Sequence, residues 1–296
     1  MTEEPRMGTR DDSPSVDEGD ASLLLTDGHV HLHSCFPIGA FLDQATRNLE
    51  RGHRAAGLHA GPGGGRGHRW TGVLLFSEGQ GVNRFEELRG LMGAAPGLDG
   101  WTVEATEESG SLRLRSREGA ELVVVAGRQV VTDARLEVLA LCTTARFEDG
   151  GPLVDTIHGV REAGAVPVLP WGFGKWWGSR GRLLADVVGT LSAGEVLLGD
   201  NAVRPRGTPE PKLFESARER GIPVLPGSDP LPFPAQLRQV GSYGAILSGR
   251  EFDPSRPAET LRRQLLELDP EVRSFGQRVG PLRSAWTQVR LRVGRG

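Results

Sequence analysis

The chain has 296 residues, which suits one large α/β domain or two small ones. Its hydrophobic share of 38% and charged share of 25% allow a sizeable core under a solvated surface. A formal net charge of −3 excludes a generally basic nucleic-acid binder, because no surplus of cations is there to displace phosphate counterions. No apolar run approaches the roughly 20 residues of a membrane helix. The acidic opening MTEEPRMGTRDDSPSVDEGD lacks the apolar stretch of a secretory signal. Two cysteines, Cys35 and Cys142, cannot build a disulfide framework. The expectation is a cytoplasmic protein with neither nucleic-acid nor membrane partners.

In chain order, residues 1–20 carry seven acids against two bases without apolar periodicity, which predicts a disordered acidic tail. The body is expected over residues 21–270. Its first strand reads through Ser22–His33 and its first helix around Ile38–Arg51. The glycine loop Gly61–Gly67 lacks the Lys-Ser/Thr ending of a phosphate-binding P-loop. Gly72–Ser77 follows as a strand and Asn83–Gly93 as a helix. Trp101–Ala105, Ser111–Arg115 and Glu121–Val131 alternate as a small β-hairpin insertion, and Leu136–Cys142 is another strand. Beyond it Leu153–Ala163, Leu183–Leu191, Pro211–Arg220 and Ala258–Leu268 read as helices. The strands among them are Ala165–Leu169, Glu195–Leu198, Ile222–Leu225 and Ala245–Leu247. Such alternation predicts parallel crossovers, and about seven parallel strands predict a distorted (β/α)7-type barrel. Residues 271–296 place Val272, Phe275, Val279, Leu282 and Trp286 at helical spacing among arginines, so a basic terminal helix is expected.

Three of the seven histidines fall in Thr26-Asp27-Gly28-His29-Val30-His31-Leu32-His33-Ser34. On an extended strand alternate side chains share a face, so Asp27, His29, His31 and His33 are expected to point one way. Same-face neighbours roughly 6.5–7 Å apart can lean onto one cation at roughly 2.0–2.1 Å. Leu23–Leu25 upstream put the cluster at the carboxyl end of a buried strand, where parallel barrels keep their active sites. A late apolar strand delivers Asp229 in Pro226-Gly227-Ser228-Asp229-Pro230. In a barrel that strand returns beside the first. His29, His31 and Asp229 would then form one site of nitrogen and oxygen ligands suited to zinc, manganese or iron.

Asp-x-His-x-His on the first strand with Gly-Ser-Asp after a late one resembles the PHP (polymerase and histidinol phosphatase) family, over most of residues 22–248. Gly72-Val73-Leu74-Leu75-Phe76-Ser77-Glu78, Val125-Ala126-Gly127-Arg128-Gln129, Leu136–Leu141 and Gly164–Trp171 echo the family's order. The resemblance implies a distorted seven-stranded barrel whose carboxyl-end cleft holds up to three metals that hydrolyse phosphate esters. Several positions depart from the pattern. Gln129 replaces a bridging glutamate, and a neutral amide does not hold two cations together. Glu137, Pro170 or Trp171, and Leu231 stand in place of histidines, and Glu78-Gly79 replaces Asp-His. Of the usual ligands His29, His31 and Asp229 remain, which implies one divalent ion and a small phosphorylated substrate. His33, Gln129 and Asp200 are additional ligand candidates. Asp27 is expected to orient a histidine from behind, and Glu78 or Glu137 to act as general base. The amidohydrolase superfamily also opens with Asp-Gly-His-Val-His, but neither Lys175 nor Lys212 matches its bridge, and His158 falls in a helix.

The run Trp171-Gly172-Phe173-Gly174-Lys175-Trp176-Trp177 follows a strand and would overhang the cleft, with Trp171, Lys175 and Trp176 as a substrate wall. Asp200-Asn201 sits at the same end, within reach of a ligand or of the residues that hold it. Arg204 and Arg206 follow as phosphate-receiving candidates. The lost ligands also admit a second expectation: a degenerate PHP-like pseudoenzyme that binds or regulates and no longer catalyses.

Overall fold

The computed structural model describes residues 22–58, 69–93 and 98–281, together with 283, 284 and 290. The acidic tail at 1–20, the glycine loop with His59 and His68, and Leu282 and Trp286 of the expected terminal helix lie outside them. The leucines Leu23–Leu25 start β1 (Leu23–Val30), which leads to α1 (Ile38–Ala55), β2 (Trp70–Phe76) and α2 (Arg84–Arg89). A meander follows: β3 (Trp101–Ala105), β4 (Ser111–Ser116) and β5 (Glu121–Val125), then β6 (Gly127–Val131) and β7 (Glu137–Leu141). Helices and strands alternate next, through α3 (Leu153–Glu162), β8 (Val166–Pro170), α4 (Gly178–Thr190), β9 (Leu197–Asn201), α5 (Lys212–Glu219) and β10 (Val224–Gly227). A 3₁₀ turn (Pro234–Gln239) precedes β11 (Tyr243–Ser248), α6 (Pro257–Leu266) and β12 (Ser274–Gly276).

These strands make two mixed sheets, one of seven in the order β12-β11-β1-β2-β5-β4-β3 and one of five in the order β10-β9-β8-β7-β6. This overturns the expected (β/α)7-type barrel of parallel strands. No closed sheet forms among the described residues, and the fold is mixed α/β. Edge occupancy is the reason. Strand β1 pairs with β2 on one side and antiparallel with β11 on the other, so no ladder edge is left for β10. Strand β2 is likewise held between β1 and β5. The expected strand Glu121–Val131 breaks at Ala126, and the chain passes there from one sheet to the other. Gly127 permits the passage, because a Cβ on it would lie 2.3 Å from the Phe76 carbonyl oxygen. The expected hairpin is present as β3–β4, and it extends the seven-stranded sheet at its edge.

The inner strands of both sheets are buried on two faces, so β2, β5 and β8 read as near-continuous apolar runs, while β3 and β4 at the edge alternate. Leu25, Leu74 and Val124 face the core under α1, where Phe41, Leu42, Ala45 and Leu49 form its inner stripe. Leu24, Val73, Leu75, Val123 and Val125 point the other way and meet Leu139, Leu141, Val168, Leu197 and Leu225 of the five-stranded sheet, with Leu261 and Leu265 of α6. The outer face of that sheet packs Val138, Leu169 and Leu198 against α3, α4 and α5 through Ile157, Leu184 and Phe214. Phe275, expected on a terminal helix, sits in β12, which pairs with β11 through Gly244. A helix there would leave the open edge of β11 without a partner. No described helix is long and apolar enough to cross a membrane.

Candidate metal centre

The two sheets abut where β10 ends against β1. Gly28 and Gly227 allow the approach, since a Cβ on Gly227 would lie 2.5 Å from the His29 nitrogen. The Asp229 N–H donates to the His29 carbonyl at 2.9 Å. Asp27, fully buried, fastens the same seam. Its Oδ1 accepts from the N–H groups of Ser228 at 2.7 Å and His29 at 3.3 Å, and its Oδ2 from Gly241 at 2.9 Å. Burial pushes its pKa up to about 7, against the pull of these donors. Asp27 was expected to orient an imidazole. Instead β1 shifts register against β2 between Asp27 and Val30, and the carboxylate turns to backbone N–H groups.

His29 Nε2 and His31 Nε2 lie 2.9 Å apart, and Asp229 Oδ1 is 3.8 Å from the first and 3.6 Å from the second. These are the donors that come within 4.8 Å of one another among the described residues. A triangle with those sides has its centre about 2.0 Å from every corner, the bond length zinc takes to imidazole nitrogen and carboxylate oxygen. The donor set fits one first-row divalent ion. Asp229 reaches the triangle from a left-handed backbone conformation, φ 45°, which is uncommon for a residue with a Cβ.

Asn201, at the end of β9, sets the tautomer of His29. Its Nδ2 donates to the Trp171 carbonyl at 2.7 Å and to Asp229 Oδ2 at 2.8 Å, which fixes the amide orientation. Its Oδ1 therefore faces His29 Nδ1, 3.3 Å away, as an acceptor. The proton is placed on Nδ1, and the Nε2 lone pair is left toward the triangle. Burial lowers the pKa of His29 to about 4 and, with His29 beside it, that of His31 to about 3. Both rings are neutral near pH 7, the state in which imidazole ligates. Burial also raises the pKa of Asp229.

The other expected site residues divide. His33 stacks on His31 at 5.4 Å, but its Nε2–H donates to the Pro230 carbonyl at 2.7 Å, so it does not join the donors. Glu78 lines the cleft with both oxygens engaged, accepting from the Phe85 N–H at 2.7 Å and from Arg128 at 3.0 Å. Glu137 lines it too, paired with Lys175 and 3.5 Å from the Gln129 amide. Asp200 turns away, held by Nε and Nη2 of Arg204 at 2.6 and 2.7 Å and by the Tyr243 hydroxyl at 3.0 Å. Neighbouring side chains on β9 alternate in direction, so Asn201 reaches the centre and Asp200 does not. Arg204 is spent on Asp200, and Arg206 bonds Gln277 at 2.6 Å. Trp171 and Lys175 border the cleft. Trp176 does not: its ring packs on Phe214 at 5.4 Å, and its indole N–H donates to the Pro170 carbonyl. The sequence reading missed Phe233 and Val82, which also line the cleft of about 830 Å³ beside the triangle. The run Pro230-Leu231-Pro232-Phe233-Pro234 directly after Asp229 was the available signal for Phe233.

No protein-family description and no curated protein matches the chain. Among solved structures, it is similar to PsfC from Pseudomonas syringae PB-5123, with 12% identity and a TM-score of 0.49, over 93% of this chain and 98% of that one.

Proposed function

We propose that this protein is a PHP-like hydrolase of phosphate esters that works with one divalent ion, zinc, manganese or iron, on His29, His31 and Asp229. The observation that carries the reading is the convergence of two imidazole nitrogens and a carboxylate oxygen on one point. An ion there would lower the pKa of a bound water and polarise a phosphoryl oxygen. The chain's own groups supply the rest. Asn201 keeps the His29 lone pair aimed inward. Lys175 presents an ammonium in the cleft, suited to a phosphate oxygen. Glu137 lines the cleft and meets Lys175 and Gln129 through Oε1, which supports its other oxygen as the acceptor of a proton. Glu78, its oxygens taken by Phe85 and Arg128, is a wall.

Metal content of protein purified without chelator tests the reading. About one equivalent is expected, lost in the double variant His31→Ala with Asp229→Ala, together with hydrolysis of a generic phosphate monoester. A well-folded, metal-free protein that hydrolyses no monoester with Mn, Zn or Fe added would overturn it. The binding role of a degenerate relative would then stand in its place.

A further inference from the structure

The cleft has two unlike halves. One holds the triangle, Lys175 and Glu137. The other is apolar and comes from two loops. After β8, Trp171 is buried and Phe173 stands edge-on to it, centroids 6.4 Å apart at 83°. Trp177 extends the row at 5.4 Å from Phe173. After β10, Leu231, Pro232 and Phe233 line the same space, with the Arg290 guanidinium 5.3 Å over the Phe233 ring. Of the six large apolar side chains left exposed among the described residues, three are here. Phe173 is 39% exposed and Val82 40%, both on the cleft, and Trp177, packed on Phe173, is 62% exposed. Contiguous exposed aromatics beside a polar site mark a surface made to be covered. Trp171 belongs to the core under the outer face of the five-stranded sheet, whereas Val82, Phe173 and Trp177 take part in none of the three cores.

Resting on the hydrolase reading, we infer that the preferred substrate is a phosphate monoester of an aromatic alcohol, its ring laid along Trp171, Phe173 and Phe233. The volume of about 830 Å³ admits a molecule of that size. Rings offering both edges and faces favour an aromatic partner over a flexible alkyl chain, which must also surrender rotamer freedom. Hydrolysis forms a bond from the water oxygen to phosphorus and breaks the bond from phosphorus to the aromatic oxygen. The alcohol leaves with a proton from that water.

Phenylphosphonate and methylphosphonate have no ester bond to cleave, so they separate binding from turnover. Titration calorimetry with metal-supplemented protein is expected to give phenylphosphonate an affinity higher by at least about tenfold. Phe173→Ala, at an exposed position that leaves the fold intact, should narrow that ratio to below about threefold. Phe173→Leu should recover only part of it. Equal affinities in the wild type, or a ratio untouched by Phe173→Ala, would overturn the inference. His31→Ala with Asp229→Ala should weaken both phosphonates alike and preserve the ratio. A wild-type protein that keeps the ratio but holds no metal and turns over no monoester would count against the hydrolase reading alone, whereas turnover without a ratio would count against the aromatic preference alone.

Discussion

Two walls of one cleft carry acidic groups of similar chemistry, and they treat them in opposite ways. On the wall built from β1, β9 and β10, Asp229 meets two neutral imidazoles and an amide, and no described Lys or Arg makes an ion pair with it. On the wall built from β2, β6 and β7, Glu78 pairs with Arg128 and Glu137 with Lys175. A carboxylate whose charge is met by a fixed cation is already neutralised and has little to offer an ion. A carboxylate held among uncharged donors keeps its lone pairs in a place where charge is costly. Among the described residues, the side chains grouped as candidate cation donors stand on one wall.

The largest effect that would break this comparison lies at the seam under the first wall. Asp27→Ala removes the acceptor of three buried N–H groups, and it is expected to cost about 3–5 kcal/mol of stability in denaturant unfolding. A loss below about 1 kcal/mol would show that the seam does not depend on it.

Acid should expose the neutral imidazoles. With folded pKa values of about 4 and 3 for His29 and His31, the unfolded chain takes up protons below about pH 6.5 while the fold does not. The two imidazoles therefore lower the stability of chelator-treated protein as pH drops from about 6.5 towards 4, and Asp27, its folded pKa raised to about 7, opposes them over the same window. The double variant His29→Ala with His31→Ala should lose the imidazole contribution, so its stability relative to the wild type rises as pH drops through that window. Equal slopes would place the titration elsewhere.

Next in size, Asn201→Ala frees the His29 tautomer and should weaken metal affinity by about 10–100-fold, with the fold retained by circular dichroism. An unchanged affinity would remove Asn201 from the site. The smallest expected effect belongs to the second wall. Lys175→Ala breaks a part-exposed pair, so stability should change by less than about 1 kcal/mol, and metal affinity should stay that of the wild type. A gain in metal affinity there would mean that Glu137, once released, joins the donors.

Much of this was legible because it is local. Apolar runs bounded by turn residues placed β1, β2, β8 and β10 within a few residues, and the crowding of His29 and His31 before Asp229's Gly-Ser-Asp marked the donors. Asp27 was misread because period-two alternation assumes an unbroken strand, and β1 shifts register just after it. Trp176 was misread because a loop aromatic shows no periodicity to say which side it packs on. Strand β12 was read as helix because Val272, Phe275 and Val279 fit a helical stripe, while the open edge of β11 that claims Phe275 is invisible along the chain.

The sequence by itself determined the donor types and the order of the elements, since spacing and side-chain chemistry are properties of neighbours in the chain. The tertiary structure alone decided that β11 takes the edge of β1, that the sheets stay open, and that Asn201 and not Asp200 turns inward. Those outcomes depend on which groups, far apart in sequence, compete for the same strand edge or the same buried polar partner.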